Sequence, residues 1–259
     1  MTHRSAACSL VAAVLFGFPN WLFAQANIIE GKVLFVGDAA QYPAAFTSGS
    51  DSVKCGEKSV RLTKEDVVIN PTTPPTLRNV VVSLRAGFGR KAFFKITEEV
   101  RLNVRDCQFI PHVLDLNAGQ PLRIVNDDAI PHRIRVLASL NDPKEFELAA
   151  KEATGEHVLQ LKPEAPIQLT CTGYPGQSAF IAVFDNPFHT VTRSDGTYAL
   201  VGMPDGRYTV EAWHEVFGSQ LAIVNVEKNV RGLHDFVFPA PDKPTKTSPA
   251  EPAPERKNP

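Results

Sequence analysis

Four cysteines set the chemistry that this sequence can do. Cys8 lies in an apolar leader, which leaves Cys55, Cys107 and Cys171 in the body of the chain. An odd number of thiols in an oxidising compartment leaves one over once the others pair. Cys55 and Cys107 are the expected disulfide, because each sits in a polar, strand-flanking segment, Lys54-Cys55-Gly56-Glu57 and Arg105-Asp106-Cys107-Gln108. Closing that loop is worth on the order of 4 kcal/mol in the chain-entropy account. Cys171 then stays free, and a free thiol in an exported protein is buried and inert, reactive, or a metal ligand.

The familiar hydrolytic motifs lack their working parts. His214-Glu215 begins like a zinc-protease helix, but that motif needs a second His four residues after the first, and position 218 is Gly. Neither a Gly-x-Ser-x-Gly elbow nor a phosphate-cradling Gly-Lys-Ser/Thr loop occurs in the sequence. No carboxylate pair is singled out for glycoside hydrolysis. No catalytic residue is assigned, and a non-enzymatic protein is expected. Trp213 has two readings, a stacking platform for a sugar or, more commonly for an aromatic that ends a strand, part of a core. Tyr174, Tyr198 and Tyr208 default to packing in the same way.

The elements that must position these residues read as strands. Of 259 residues, 43% are hydrophobic, and 27 Lys plus Arg stand against 28 Asp plus Glu, so the positive field that phosphate backbones need is missing and nucleic acid is not an expected partner. Residues 1 to 26 have a basic start, an apolar run from Ala6 to Phe23 and the small-residue signature Ala24-Gln25-Ala26, which reads as a removed signal peptide. A membrane anchor is the competing reading, but Pro19-Asn20 interrupts the run short of the ~20 apolar residues that a spanning helix needs. A periplasmic or secreted protein with no membrane span after signal removal is expected.

From Ile28 onward apolar residues recur with period two, bounded by Gly, Pro, Asn and Asp, as in Lys32 to Val36, Val80 to Leu84 and Val100 to Arg105. Further strands are expected over His132 to Val136, Val158 to Leu161, Ile167 to Cys171, Phe180 to Phe184, Tyr198 to Val201, Arg207 to Trp213, Ala222 to Val226 and Asp235 to Phe238. Val113 to Leu116 and Leu122 to Val125 flank Asn117-Ala118-Gly119-Gln120 and read as a hairpin. Only Lys144 to Glu152 has helical composition. Ser194-Asp195-Gly196 and Pro204-Asp205-Gly206 are turn signals. Residues 239 to 259 hold seven prolines without apolar periodicity and read as a disordered tail. The fold class expected is all-β, of sandwich type.

The run Cys107-Gln108-Phe109-Ile110-Pro111-His112-Val113, the Asn117-to-Pro121 turn, Val125-Asn126-Asp127-Asp128 with His132, and then Cys171 resemble the cupredoxins in order and spacing. More closely, the chain resembles exported bacterial proteins that join a cupredoxin-like Greek-key sandwich to a carboxypeptidase regulatory-like (transthyretin-like) β-sandwich. The second half carries the matching segments Phe184-Asp185-Asn186-Pro187-Phe188, Ser194-Asp195-Gly196-Thr197-Tyr198, Pro204-Asp205-Gly206-Arg207-Tyr208 and Ala212-Trp213-His214-Glu215. On that basis residues 27 to 185 are expected to form the cupredoxin-like domain with extra N-terminal strands, and 186 to 238 the transthyretin-like module.

The resemblance implies copper, held by two His nitrogens, a Cys thiolate and a weak axial ligand. It puts His132 at the first His position and Cys171 at the thiolate position. The family's Cys-x-x-His followed three residues later by Met reads here Cys171-Thr172-Gly173-Tyr174-Pro175-Gly176-Gln177, so a phenol stands for the second imidazole and an amide for the thioether. Arg135 and Asn186 stand at two other positions where relatives carry His. If the hairpin after Val113 forms, His112 shares a rim with His132 and can restore a His₂Cys set with Gln177. Two functions follow. One is a degenerate copper-binding or electron-transfer module serving a redox protein. The other is a metal-free surface module binding cell-surface polysaccharide or protein, with His112 and His132 held by backbone hydrogen bonds and Cys171 a small hydrophobe.

Overall fold

The computed structural model describes residues 27–42, 52–89, 93, 95–174, 177–227 and 230–241. The expected signal peptide, and the expected tail beyond residue 241, lie outside them. The described residues form strands with two short 3-10 turns, and none of their helices is long and apolar enough to cross a membrane. The all-β expectation therefore holds, and the period-two segments are strands.

Two sandwiches stack side by side, and the chain enters one, builds the other, and returns. Ile28–Val36 is the hub of the first sheet: it pairs antiparallel with Thr197–Val201 and parallel with Arg231–Leu233 and Phe236–Pro239. Val81–Ala86 lies between His189–Val191 and Gly206–His214 in the facing sheet, with Gly218–Val226 at its edge. Ile29, Val33, Leu84, Tyr198, Tyr208, Val210 and Phe238 fill the core between these sheets. The expected division at residue 185 is thus corrected: the N-terminal strands add to the C-terminal sandwich and not to the sheets built from residues 100–184. Their apolar faces need the partners at 197–239, which lie far away in sequence.

The second sandwich is inserted between these halves. One sheet runs Glu156–Gln160, Pro121–Asn126, Val100–Arg105, Gln108–Ile110; the other runs Lys144–Leu148, His132–Leu137, Glu164–Thr172, Ser178–Phe184, Val113–Asn117. Two expectations fail here. Val113–Asn117 pairs with Ser178–Phe184, whereas Pro121–Asn126 pairs with Val100–Arg105 in the other sheet, so the Gly119 turn is an arch between sheets and not a hairpin. Gln120 fixes the arch by accepting the Asn117 N–H at 2.6 Å and donating to the Glu98 carbonyl at 2.9 Å. Lys144 to Glu152 is not helical: Lys144–Leu148 is an edge strand on His132–Leu137, followed by a 3-10 turn. Pairing with an open sheet edge outweighs its weak helix propensity.

Ser178–Phe184 is apolar on both faces, and the reason is visible. Ala179, Ile181 and Val183 point into the inserted core, while Ala182 and Phe184, with Val113, meet Val81 from the other sandwich. Trp213 joins this contact, 5.5 Å from the Phe180 ring, so it is packed between the sandwiches and is not a free sugar platform.

Two histidine–carboxylate pairs, His112 with Glu215 and His189 with Asp115, link the same faces. Burial pushes the His112 pKa down, but the hydrogen bond and charge of Glu215 overcome it, and the net shift is upward. In Glu215→Gln the largest raising influences are lost, leaving burial opposed only by the smaller effects of the Ser178 carbonyl and the Glu65 charge. The His112 imidazole is expected to titrate above its ordinary midpoint of about 6.5 in the parent and below it in the variant, read from its ring proton resonance. Because the folded pKa is raised, the stability that this pair contributes is present below about pH 6.5 and is lost as pH climbs through the folded value.

Candidate metal centre

His132 begins the strand His132–Leu137, and Cys171 lies near the end of the adjacent strand Glu164–Thr172, where Ile134 is its direct partner. Alternation turns both side chains inward, and they meet: Cys171 Sγ lies 3.6 Å from His132 Nδ1. His132 is 1% exposed and Cys171 5%. Ser178 pairs with Thr170, so continuing the register one step sets Gln177 opposite Cys171, also buried. The Tyr174 ring is 5.6 Å from the His132 ring. The turn between Cys171 and Gln177 is closed by Tyr174 N–H to the Cys171 carbonyl and Gln177 N–H to the Tyr174 carbonyl.

A carboxylate decides which imidazole nitrogen faces the thiol. Asp128 Oδ2 lies 3.0 Å from His132 Nε2, and a carboxylate can only accept there, so Nε2 carries the proton and Nδ1 turns its lone pair toward Cys171. Asp128 itself is anchored by the backbone N–H groups of Asp106 at 2.7 Å and Cys107 at 2.9 Å. Asn126 holds the loop around it, donating to the carbonyls of Ile130 and Ala149 and accepting the Asp128 N–H. The role of Asp128 was missed in the sequence, although it sits in the Asn126-Asp127-Asp128 run; a carboxylate four residues before a candidate His ligand was the available signal.

Cys55 and Cys107 form the expected disulfide. It pins the turn at Asp106 and Cys107, both with positive φ, a conformation that costs side-chain-bearing residues about 1–2 kcal/mol each. Cys55 Sγ lies 3.5 Å from Asp128 Oδ2, a contact and not a hydrogen bond, since a disulfide sulfur has no proton.

His112 is not at the centre. Its Nδ1 lies 3.0 Å from the Ser178 carbonyl and its Nε2 is bonded to Glu215, and its ring packs on Phe180, on the outer face of the sheet whose inner face carries Cys171. The arch explains the correction: it keeps His112 at the expected end but on the wrong face. The structure thus brings Cys171 and His132 together, sets Gln177 across the strand pair from Cys171, and leaves His112 in the contact between sandwiches.

What remains is one sulfur, one imidazole nitrogen and an amide. Burial pushes the Cys171 thiol up to about 11, with the Arg133 backbone N–H opposing weakly. At neutral pH it is a protonated, shielded thiol. Iodoacetamide is therefore expected to leave Cys171 unmodified in the folded protein and to label it once the chain is denatured, read by peptide mass spectrometry. Two features fit a metal. Ordinary bonds of about 2.3 Å to sulfur and 2.0–2.1 Å to nitrogen at a tetrahedral angle put the donors about 3.6 Å apart, which is the separation present. Both Gln177 amide atoms are buried without a hydrogen-bond partner, and an acceptor left so in a core normally has an explanation.

No protein-family model matches the sequence, and no curated protein matches it. Among solved structures the chain is similar to a Cu-containing nitrite reductase from Thermus scotoductus SA-01, at 19% identity over 37% of this chain and 24% of that one, with a TM-score of 0.30. It is also similar to a purple cupredoxin from Nitrosopumilus maritimus, at 14% identity over 32% of this chain and 98% of that one, TM-score 0.28. Plastocyanin from Dryopteris crassirhizoma gives 13% identity over 32% of this chain and 99% of that one, TM-score 0.29. The chain thus spans about a quarter of the nitrite reductase and nearly all of the other two.

Proposed function

We propose that the inserted sandwich is a cupredoxin-like module that binds copper in its Cu(I) state, in an exported protein without enzymatic activity. Cys171 supplies the thiolate, His132 Nδ1 the nitrogen and the Gln177 amide oxygen a weak third contact. The observation that carries the reading is the Cys171–His132 pair at 3.6 Å beside the unpartnered amide of Gln177. A soft sulfur with a single imidazole suits Cu(I), whereas a blue-copper carrier, which must also hold Cu(II), keeps a second imidazole beside the thiolate. Copper bound here would supply a soft, thiolate-held cation.

Binding is favoured over catalysis by burial: His132 and Cys171 are almost wholly inaccessible, so neither donor atom is open to a bulky substrate. Export is supported by the disulfide, since such bonds persist in oxidising compartments. In this reading the partner is a protein that gives or takes the ion. The test is anaerobic titration of the mature protein against a chromogenic Cu(I) chelator. One equivalent retained is the expected result. Retention that is unchanged in His132→Ala would overturn the assignment.

A further inference from the structure

The other nitrogen of His132 faces a second set of donors. The sulfurs of Cys55 and Cys107, a carboxylate oxygen of Asp128 and a ring nitrogen of His132 all lie within 4.8 Å of one another, and all four residues are buried. While the sulfurs are joined they carry no charge for a cation. We propose that reduction of the Cys55–Cys107 disulfide converts this group into a Cys₂AspHis site for a tetrahedral, thiolate-favouring divalent ion of the zinc class. The metal would share His132 with the copper pair but needs neither Cys171 nor Gln177, so the inference does not depend on the copper reading.

Each donor is of a type that zinc accepts, and four of them complete a closed structural site. Two thiolates and one carboxylate against one divalent ion leave a single negative charge, where the three ligands alone would bury three. The electron count closes with a dithiol reductant: its two thiols become a disulfide, the Cys55–Cys107 bond breaks, and two protons pass to the new cysteine thiols. Metal binding then releases both protons. The Nε2 proton of His132 moves to Nδ1, so the ring stays neutral.

The fold leaves room for the sulfurs to part. Around a tetrahedral ion they stand about 3.8 Å apart, so one must withdraw. Cys107 is fixed in its turn by the Asp128 hydrogen bond. Cys55 lies on the hairpin Ser52–Cys55 with Lys58–Arg61, a two-stranded sheet that joins neither sandwich. The hairpin can shift without breaking a larger sheet.

The probe is Co(II), standing in for Zn(II), added to mature Cys171→Ala protein, in which the copper pair is gone. The disulfide is reduced with a phosphine that is removed under argon before the metal is added. The reduced protein is expected to bind one Co(II) per chain, with thiolate charge transfer in the near ultraviolet and the strong visible bands of tetrahedral cobalt. Its melting temperature should rise on adding metal, whereas the oxidised protein should show neither effect. His132→Ala in the same background should weaken binding at least tenfold. Absence of the tetrahedral bands in the reduced protein overturns the proposal, and so does affinity unchanged by His132→Ala, which would mean that the two thiols bind alone.

Discussion

Asp128→Asn is expected to lower Cu(I) affinity by about 10–100-fold, the range found when an outer partner of a ligating histidine is removed, although residue 128 is not a ligand of the copper. Three donors converge on its carboxylate: the Asp106 and Cys107 N–H groups and His132 Nε2. An amide of the same shape has a single acceptor oxygen, and its NH₂ must confront one side of this set. The backbone donors cannot change, but the imidazole can move its proton. It would then accept from the amide at Nε2 and turn a protonated Nδ1 toward Cys171, which removes the nitrogen lone pair that the centre needs. The lost charge-assisted bonds to a strained turn add a stability cost of about 2–3 kcal/mol. Competition titration measures the first effect and urea denaturation the second. Affinity equal to the parent's would show that His132 is not oriented by Asp128.

Cys171→Ala should have the larger effect on binding, a loss of at least about 1,000-fold in Cu(I) affinity, or roughly 4 kcal/mol, because it removes the only thiolate among three donors, two of them neutral. Stability should change far less. The side chain is small, and its polar contacts are weak, with Sγ at 3.6 Å from His132 Nδ1 and 3.9 Å from the Thr172 carbonyl, so a loss of about 1–2 kcal/mol is expected. This separation of affinity from stability distinguishes a ligand from a packing residue. A buried cysteine that only fills space would give the reverse pattern, with copper retention unchanged and the melting temperature lowered.

Local features were legible in the sequence to the extent that they are local. Strands such as Val100–Arg105 and Gly206–His214 follow from period-two alternation, because a half-buried sheet imposes it residue by residue. The Cys55–Cys107 bridge followed from the odd thiol count and the polar turns around each cysteine. Pairing across the chain was not legible. Ile28–Val36 presents the same alternating face whichever sheet receives it, and its partners at 197–239 are chosen by the closed core around Tyr198 and Phe238.

The turn at Gly119 illustrates the same limit. A left-handed glycine reverses the chain in a hairpin and in an arch alike, and only the Gln120 side-chain bonds and the strand partners distinguish them. That ambiguity misplaced His112 by one sheet face while leaving its position along the axis correct. Asp128 was hidden for another reason: carboxylates are common in turns, and its role comes from three donors contributed by two separate segments.

X-ray absorption at the copper edge on the Cu(I)-loaded mature protein addresses the centre itself. One sulfur neighbour and one imidazole are expected, with the sulfur lost in Cys171→Ala and the imidazole lost in His132→Ala. A spectrum with only nitrogen and oxygen neighbours, or one that neither substitution alters, would contradict the assignment of Cys171 and His132 as the copper ligands.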